Sequence, residues 1–325
     1  MRICFLDNNP IPYSSKDLYS NNIRGAESIL INLAISFKKI GNYVCIFNNI
    51  QNDVTINGIE WFNINKLNSN FKFDIAFTNN DISMFDNVDA KRKIALSHGV
   101  QTIEKFIRKK QLSAYLKHKP KIVLMSDYHE QSRSFLLKMF GTIKIKWCAE
   151  KIFTDANLTP KIDTNKAIFT SYKDRNLKLL IDIWKNYVFT KNKNLKLFIT
   201  PIDDNLSEFN IFNRSFKSKD TMIEEMKSSR LYLIPGHKSE LFCFAAEEAR
   251  ELCIPIVTLG IGSLSERVDH NETGFIANNP KQFAEYSHEL FTNNELWNKF
   301  RNNLLDKRGK NNWLKISKNL LNQIN

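Results

Sequence analysis

Between Leu231 and Leu259 two short apolar runs flank a segment that carries a pair of glutamates, and this arrangement leaves the chain few ways to fold. The first run, Leu231-Tyr-Leu-Ile234, stops at Pro235 and Gly236. Glu240 follows in loop-like sequence, and Glu248 comes after seven intervening residues, in a stretch from Ala245 to Leu252 that reads as a helix. The second run, Ile254 to Leu259, carries Pro255 near its start. Strand, loop, helix and strand in that order make a βαβ unit, whose two strands are parallel neighbours in a sheet. The loop then lies at the carboxyl edge of the sheet, where open α/β folds bind ligands. A solvated, charged helix face would also produce a pair of glutamates, so the spacing acquires meaning only from the runs on either side.

The same alternation runs through the rest of the chain. Ile3 to Leu6 reads as a buried strand, and Ser28 to Ile40 carries a helical stripe of Ile29, Leu30, Leu33, Ala34, Phe37 and Ile40 that ends at Gly41. Strands are expected at 43–47, 59–62, 75–78, 93–97 and 122–126, with a basic helical segment before the last. The pattern restarts with a strand at 166–170, a helix at 177–187, a strand at 195–199 and a helix at 221–228, ahead of the βαβ unit. Asp, Asn, Thr and Pro interrupt the periodicity between Ala149 and Asn165. The expected organisation is one domain over 1–155 and a second over 156–325, both α/β and Rossmann-like.

Composition excludes several classes. A chain of 325 residues has room for two ordinary domains. No stretch approaches the roughly 20 apolar residues of a membrane-spanning helix. Met1 to Leu6 has one positive charge and too short an apolar run for a signal peptide. The five cysteines are scattered and form no C-x-x-C pair, so neither a disulfide framework nor a zinc site is expected, and a reducing cytoplasm suits the chain. A formal net charge of +13 favours polyanionic partners, either nucleic acid or an anionic membrane. No helix-turn-helix, zinc-finger or aromatic RNA-binding signature accompanies it, so nucleic acid is not the expected partner. Lys105, Arg108, Lys109, Lys110, Lys117, Lys119 and Lys121, interleaved with Ile103, Phe106, Ile107, Tyr115 and Leu116, make residues 105–121 the candidate for contact with anionic lipid.

The glutamate spacing resembles the E-x7-E motif of family 4 retaining glycosyltransferases, which have the GT-B fold: two Rossmann-like domains whose parallel sheets face a central cleft. That resemblance implies that 1–155 is the acceptor-side domain and 156–325 the nucleotide-sugar donor domain, in which Glu240 contacts the donor sugar and Glu248 the nucleotide ribose. Leu241 and Phe242 would then lie along the donor. Arg24-Gly25-Ala26-Glu27 resembles the family's Gly-Gly-Ala-Glu loop, with Arg24 where the first glycine usually stands and Gly25 close to the ligand. His98, in Ala95-Leu-Ser-His-Gly99, matches a histidine near the transferred sugar. Arg175, helped by Lys173, would neutralise the diphosphate with its planar fork. Gly260-Ile-Gly-Ser-Leu-Ser-Glu266 fits the family's Gly-x-x-Glu loop, whose main-chain N–H groups, here those of Gly262, Ser263 and Leu264, would meet the diphosphate. Trp313 resembles the residue that opens a last helix crossing back to the first domain, although an ordinary terminal helix would read the same way.

The implied activity is transfer of a sugar from a nucleotide-sugar donor to a hydroxyl acceptor, a surface glycan or lipid-linked saccharide, with retention at the anomeric carbon. Catalysis would involve His98 and Glu240, with no cofactor. No D-x-D triplet occurs, so no bridging metal is expected. Leu241, Cys243 and Cys253 stand where the family generally has glycine. The alternatives are a catalytically silent nucleotide-sugar or glycan-binding protein of the same fold, or a nucleotide-sugar epimerase. The expected location is the cytoplasm, at the inner face of the membrane if the basic segment binds lipid.

Overall fold

Short apolar runs that alternate with helices favour strands paired in parallel, since each helix carries the chain back to start the next strand in the same direction. The computed structural model, which describes residues 1–19, 23–68, 70–158, 162–215 and 218–324, shows two units built this way. The first comprises 1–147 and 312–325, and the second comprises 148–311.

Among the described residues the first unit contains eight strands: β1 (Arg2–Leu6), β2 (Tyr43–Asn48), β3 (Val54–Ile56), β4 (Ile59–Asn63), β5 (Lys72–Asn79), β6 (Asp89–Leu96), β7 (Lys121–Leu124) and β8 (Thr142–Lys144). They lie in the order β3-β4-β2-β1-β5-β6-β7-β8, parallel throughout except for the β3–β4 hairpin at one edge. The expected strands are all present, and the short edge strands β3 and β8 join them. Of the stripe read from Ile29 to Ile40, the members from Ile29 to Phe37 lie on α1 (Gly25–Lys39) and are fully buried, while Ile40 caps the helix and is half-buried. The basic segment forms two short helices, α2 (Ile103–Arg108) and α3 (Leu112–His118), and α4 (Asp127–Gln131) follows β7.

The second unit opens with α5 (Lys151–Thr154) and carries β9 (Asp163–Ile168), β10 (Lys196–Ile199), β11 (Ile211–Asn213), β12 (Ser229–Leu233), β13 (Ile256–Thr258) and β14 (Gly274–Ile276). All pair in parallel in the order β11-β10-β9-β12-β13-β14, which is the 3-2-1-4-5-6 order of a doubly wound sheet. The helices between and after these strands are α6 (Leu177–Ile183), α7 (Lys219–Lys227), α8 (Phe244–Glu251), α9 (Pro280–Thr292) and α10 (Asn294–Lys307). The helix expected over 177–187 is α6 continued by one π turn, Trp184–Val188, in which Trp184 is fully buried and donates its indole N–H to Phe209 O at 2.9 Å.

The division falls between Trp147 and Cys148, ahead of residue 155, because α5 packs on α8 and Arg308 donates to the carbonyls of Phe153 and Ala156. Residues 159–161, within the stretch where the periodicity breaks, lie outside the described residues. The last helix, α11 (Trp313–Ile324), belongs to the first unit. It packs against α1 and β8, and the Trp313 ring lies 5.7 Å from that of Trp147.

Buried polar anchors fix the helices to the second sheet. Arg230 on β12 is 2 % exposed and donates Nε to Leu290 O at 2.7 Å and Nη2 to Asn294 Oδ1 at 2.8 Å. Trp297 caps the same guanidinium and returns its indole N–H to Arg230 O at 2.9 Å. Arg230→Met keeps the length but strands the acceptors at the α9–α10 turn. It should cost about 3 kcal/mol, since bonds to a charged donor carry ~1.5–3 kcal/mol and buried acceptors are left unmade. Urea unfolding of this variant beside the exposed-site control Lys299→Met checks it.

Candidate functional site

In an open parallel sheet the loops after two neighbouring strands diverge where the strand order reverses, and the crevice they leave takes ligands. In the second unit that point lies between β9 and β12, which are paired at Ile168 and Tyr232. The loop after β9 carries Lys173 and Arg175, and the loop after β12 carries Glu240. Arg175 Nε lies 3.6 Å from Glu240 Oε2, and its Nη1 lies 3.5 Å from His237 Nδ1. Burial pushes the Glu240 carboxyl up, while Arg175 and an N–H from Cys243 hold it down. Lys173 is exposed on the same loop.

Two glycines let the main chain close around Glu240. Gly236 (φ +94°) and Gly262 (φ +75°) both occupy the left-handed region. A Cβ on Gly236 would stand 2.4 Å from Ile261 O, and one on Gly262 would stand 2.3 Å from His237 O. Across this contact Ser263 N–H donates to Glu240 O at 2.9 Å, and Glu240 N–H donates to His237 O at 2.9 Å. Asn176 Nδ2 donates to Gly236 O at 2.6 Å, so three loops are tied into one body.

This closure corrects part of the expectation for the glycine loop. The Ser263 N–H is spent on Glu240, and Ser263 and Leu264 are both fully buried, because the 3-10 turn Gly262–Glu266 packs them inward. Of the three amides expected to meet a diphosphate, only that of Gly262 belongs to a partly exposed residue. Leu241 and Phe242 are also buried, at 4 % and 2 %, with the Phe242 ring against Phe244 and beneath the Arg267 guanidinium. Their side chains face the interior, which leaves them main-chain contacts at most. Cys243 (φ +62°) and Cys253 (φ +55°) adopt the left-handed conformation for which glycine is best suited; Leu241 does not.

Glu248 projects from α8 among charges that the sequence reading did not foresee. Its pKa is raised to about 7: burial and, to a lesser degree, Glu150 push it up, and Lys219 and Arg214 pull it down. Lys219 Nζ holds both Glu150 oxygens, at 2.6 and 2.7 Å. Arg214 is 3 % exposed and gives Nε to Glu225 at 3.0 Å, while its Nη1 and Nη2 have no hydrogen-bond partner among the described residues. These residues come from before α5, from the end of β11 and from the first turn of α7. The sequence reading had no signal for them, since the strand that places Arg214, β11, was itself not expected.

In the first unit the order reverses between β1 and β5. Asp7 follows β1, Asn79 ends β5 and His98 follows β6. Tyr13 OH donates to Asp7 Oδ2 at 2.6 Å, and Asn79 Nδ2 donates to the same oxygen at 3.1 Å. The amide nitrogen of Asn79 being so engaged, its Oδ1 accepts from His98 Nε2 at 3.0 Å. His98 is thereby set as the Nε2–H tautomer, with the Nδ1 lone pair left to accept a proton or hydroxyl hydrogen. Burial, with a smaller effect from His129, lowers its pKa to about 4, so the ring is neutral at pH 7. Gly25 opens α1 and is exposed; Glu27 accepts from Arg24 N–H at 3.1 Å and from Asn9, and so closes the helix start.

Residues 171–306 match the family model for glycosyl transferases group 1. That segment lies within the second unit and contains Lys173, Arg175, Glu240 and Glu248. The sequence matches none of the curated proteins. Among solved structures, Anabaena Alr3699/HepE in complex with UDP and glucose is 12 % identical, with a TM-score of 0.71 over 99 % of both chains. A glycosyltransferase from Rickettsia africae is 16 % identical, with a TM-score of 0.69 over 99 % of this chain and 98 % of its own. WaaG, a glycosyltransferase involved in lipopolysaccharide biosynthesis, is 12 % identical, with a TM-score of 0.69 over 99 % of both chains. The fold is that of the GT-B glycosyltransferases.

The tautomer is directly measurable. Long-range 1H–15N spectra should show His98 protonated on Nε2 at neutral pH, with a midpoint well below the free value of about 6.5. A depressed histidine contributes stability that is complete above its unfolded pKa and is lost as pH falls toward the folded value, here between about 6.5 and 4. Asp7→Asn should release the Asn79 amide and mix the tautomers; an unchanged spectrum would remove Asp7 from the relay.

Proposed function

We propose that the protein is a retaining glycosyltransferase that moves a sugar from a nucleoside diphosphate sugar to a hydroxyl acceptor. The observation that carries this reading is the Arg175–Glu240 pair at the switch point of the second sheet, with Glu248 on the following helix, all within the segment that matches the family model. HepE structures hold UDP, glucose or UDP-glucose, which makes a UDP-sugar the first donor to test. The role of WaaG in lipopolysaccharide biosynthesis supports a surface glycan or lipid-linked saccharide as acceptor.

In this reading Glu248 accepts the ribose hydroxyls and Glu240 accepts those of the sugar, since one carboxylate can take two charge-assisted bonds. Arg175, with Lys173 beside it, turns to the diphosphate and stabilises the negative charge that grows as the bond from the anomeric carbon to the phosphate oxygen breaks. This is stabilisation by preplaced charge, of the kind that dominates many enzymatic rate enhancements, and it calls for no metal bridge. The acceptor oxygen bonds to the same face of the anomeric carbon. Its proton passes to the departing phosphate oxygen, so the configuration is kept and the nucleoside diphosphate leaves. His98, neutral and with Nδ1 open, is suited to accept a hydrogen bond from a sugar or acceptor hydroxyl and unsuited to bind phosphate as a cation.

The two glutamates should separate cleanly. Glu240→Ala should lower transfer roughly a hundredfold, the scale of misplacing a reacting group by about an ångström, and leave UDP affinity nearly intact. Glu248→Gln should weaken UDP itself by about 1–3 kcal/mol. Because the folded pKa of Glu248 is raised to about 7, its carboxylate is lost as pH falls, so wild-type UDP affinity should drop from about pH 8 to pH 6. The Gln variant should lack that dependence. The same raised pKa acts oppositely on stability, which it erodes as pH rises from the ordinary carboxylate range toward 7. Titration calorimetry with UDP, and product analysis with a panel of nucleotide sugars, test both. UDP binding without donor hydrolysis or transfer would replace the enzyme with a binding protein, and unchanged UDP affinity in a folded Glu248→Gln variant would remove that residue from the site.

A further inference from the structure

The basic segment 105–121 does not present the surface its sequence suggests. Phe106 and Tyr115 are buried, at 6 % and 3 %, and stack on each other at 4.4 Å. Three of its cations are engaged: Lys105 Nζ donates to Val100 O, Lys117 pairs with Asp86, and Lys121 donates to Gln323 O. What α2 and α3 leave outward is Ile107, at 60 % exposure, and Leu116, at 49 %, with Arg108, Lys109, Lys110 and Lys119 exposed beside them.

A second element in the same layer completes this surface, and nothing in its hydrophobicity pattern marked it. The 3-10 turn Phe135–Met139 carries Phe135, Leu136 and Met139 at 83 %, 62 % and 73 % exposure, with Lys138, also exposed, between them. Three large apolar side chains this open on one turn are costly in water, and such patches mark contact sites. The turn is firmly held. Arg133 is 5 % exposed and donates Nε to Gln101 Oε1 at 2.7 Å and Nη2 to Leu137 O. Ser134 N–H donates to Gln101 O at 3.0 Å, and Ser134 Oγ accepts from Ile103 N–H at the start of α2. Leu137 and Phe140 turn inward, Phe140 lying 5.4 Å from Tyr115. The inward residues thus seat the turn on α2 and α3 and force the other three out.

We propose that the turn Phe135–Met139 is an apolar wedge that enters the interface of an anionic lipid bilayer, with Lys138 and the cations at the carboxyl end of α2, Arg108, Lys109 and Lys110, on the lipid headgroups. The charges select the occupant. None of these four cations has an ion-pair partner among the described residues, so the patch combines apolar area with uncompensated positive charge. A symmetric contact with a second copy would set those cations against themselves. Anionic headgroups over acyl chains satisfy both parts at once. No helix among the described residues is long and apolar enough to cross a membrane, so the contact is interfacial.

The test uses the full chain and vesicles of phosphatidylcholine with and without phosphatidylglycerol. Co-sedimentation should require phosphatidylglycerol and weaken with salt. Phe135→Ser/Leu136→Ser/Met139→Ser should reduce binding on the order of a hundredfold. Removing Arg108, Lys109 or Lys110 should each reduce it roughly fivefold. Circular dichroism, and UDP titration for the second unit, verify folding independently of the lipid result and separate a failure here from a failure of the transferase reading. All five native tryptophans are buried, so Phe135→Trp supplies a reporter whose emission should shift to the blue and be quenched by brominated lipid. Equal recovery with both vesicle types, unchanged binding by the triple variant, or an unquenched reporter would overturn the proposal. So would a concentration-dependent dimer that the triple variant abolishes, which would assign the patch to a second copy.

Discussion

The candidate donor site depends on one close approach of main chain to main chain. At Gly236 and Gly262 two loops that follow different strands come nearer than any side chain permits, and the Ser263 N–H reaches the Glu240 carbonyl across the gap. The parallel sheet requires such loops to end side by side, but only residues without a Cβ let them fuse. With that bond in place Glu240 leaves its loop from a fixed main chain, and Arg175, tied through Asn176 to Gly236, meets it at the switch point. Preorganisation of this kind is what a site needs if its charges are to act without first rearranging.

The carboxylates are not equivalent, and the environment distinguishes them. Glu240 faces a single arginine, whereas Glu248 lies in a field of two opposed pairs, Glu150 with Lys219 and Glu225 with Arg214. Burial penalises charge on both, but only Glu248 is brought to the edge of ionisation at neutral pH. Arg214 adds an unusual element, a guanidinium enclosed by protein with two nitrogens unmatched among the described residues, which favours a nearby negative charge or a polar ligand edge. In the first unit the electrostatics run the other way: His98 is kept neutral and oriented by neighbours that themselves sit at the reversal of a sheet.

How much of this was legible differs by interaction type. The central strands and most of the α1 stripe could be read because each run of apolar residues reports its own burial, whereas the short edge strands β3, β8 and β11 carry too few such residues to be seen. The loop-and-helix placement of Glu240 and Glu248 followed from the two runs that bracket them. The engagement of Ser263, and the burial of Leu264, Leu241 and Phe242, could not be read, since they arise from packing between loops whose sequences carry no period. Arg214, Lys219 and Glu150 were missed for a related reason: three charges from separate segments become neighbours only when the sheet has formed. The basic segment misled in part because cationic residues look alike in sequence, while the fold pairs Lys117 with Asp86, spends Lys105 and Lys121 on backbone carbonyls and leaves Arg108, Lys109, Lys110 and Lys119 exposed. Phe135, Leu136 and Met139 show the converse, since apolar residues in sequence are expected to be inside.

The return of α11 to the first unit has a consequence for how the molecule is made. A chain emerging from the ribosome presents β1 to β8 long before Trp313, so the face of α1 that α11 covers, and the ring of Trp147, stay open to solvent throughout synthesis of the second unit. The second unit is continuous in sequence and can close on itself as soon as α10 appears. The order of completion is therefore the reverse of the order of translation: the domain begun first is finished last. Until then the strip of α1 that the twelve residues of α11 cover stays exposed, and transiently exposed apolar surface of this kind is what favours aggregation during folding.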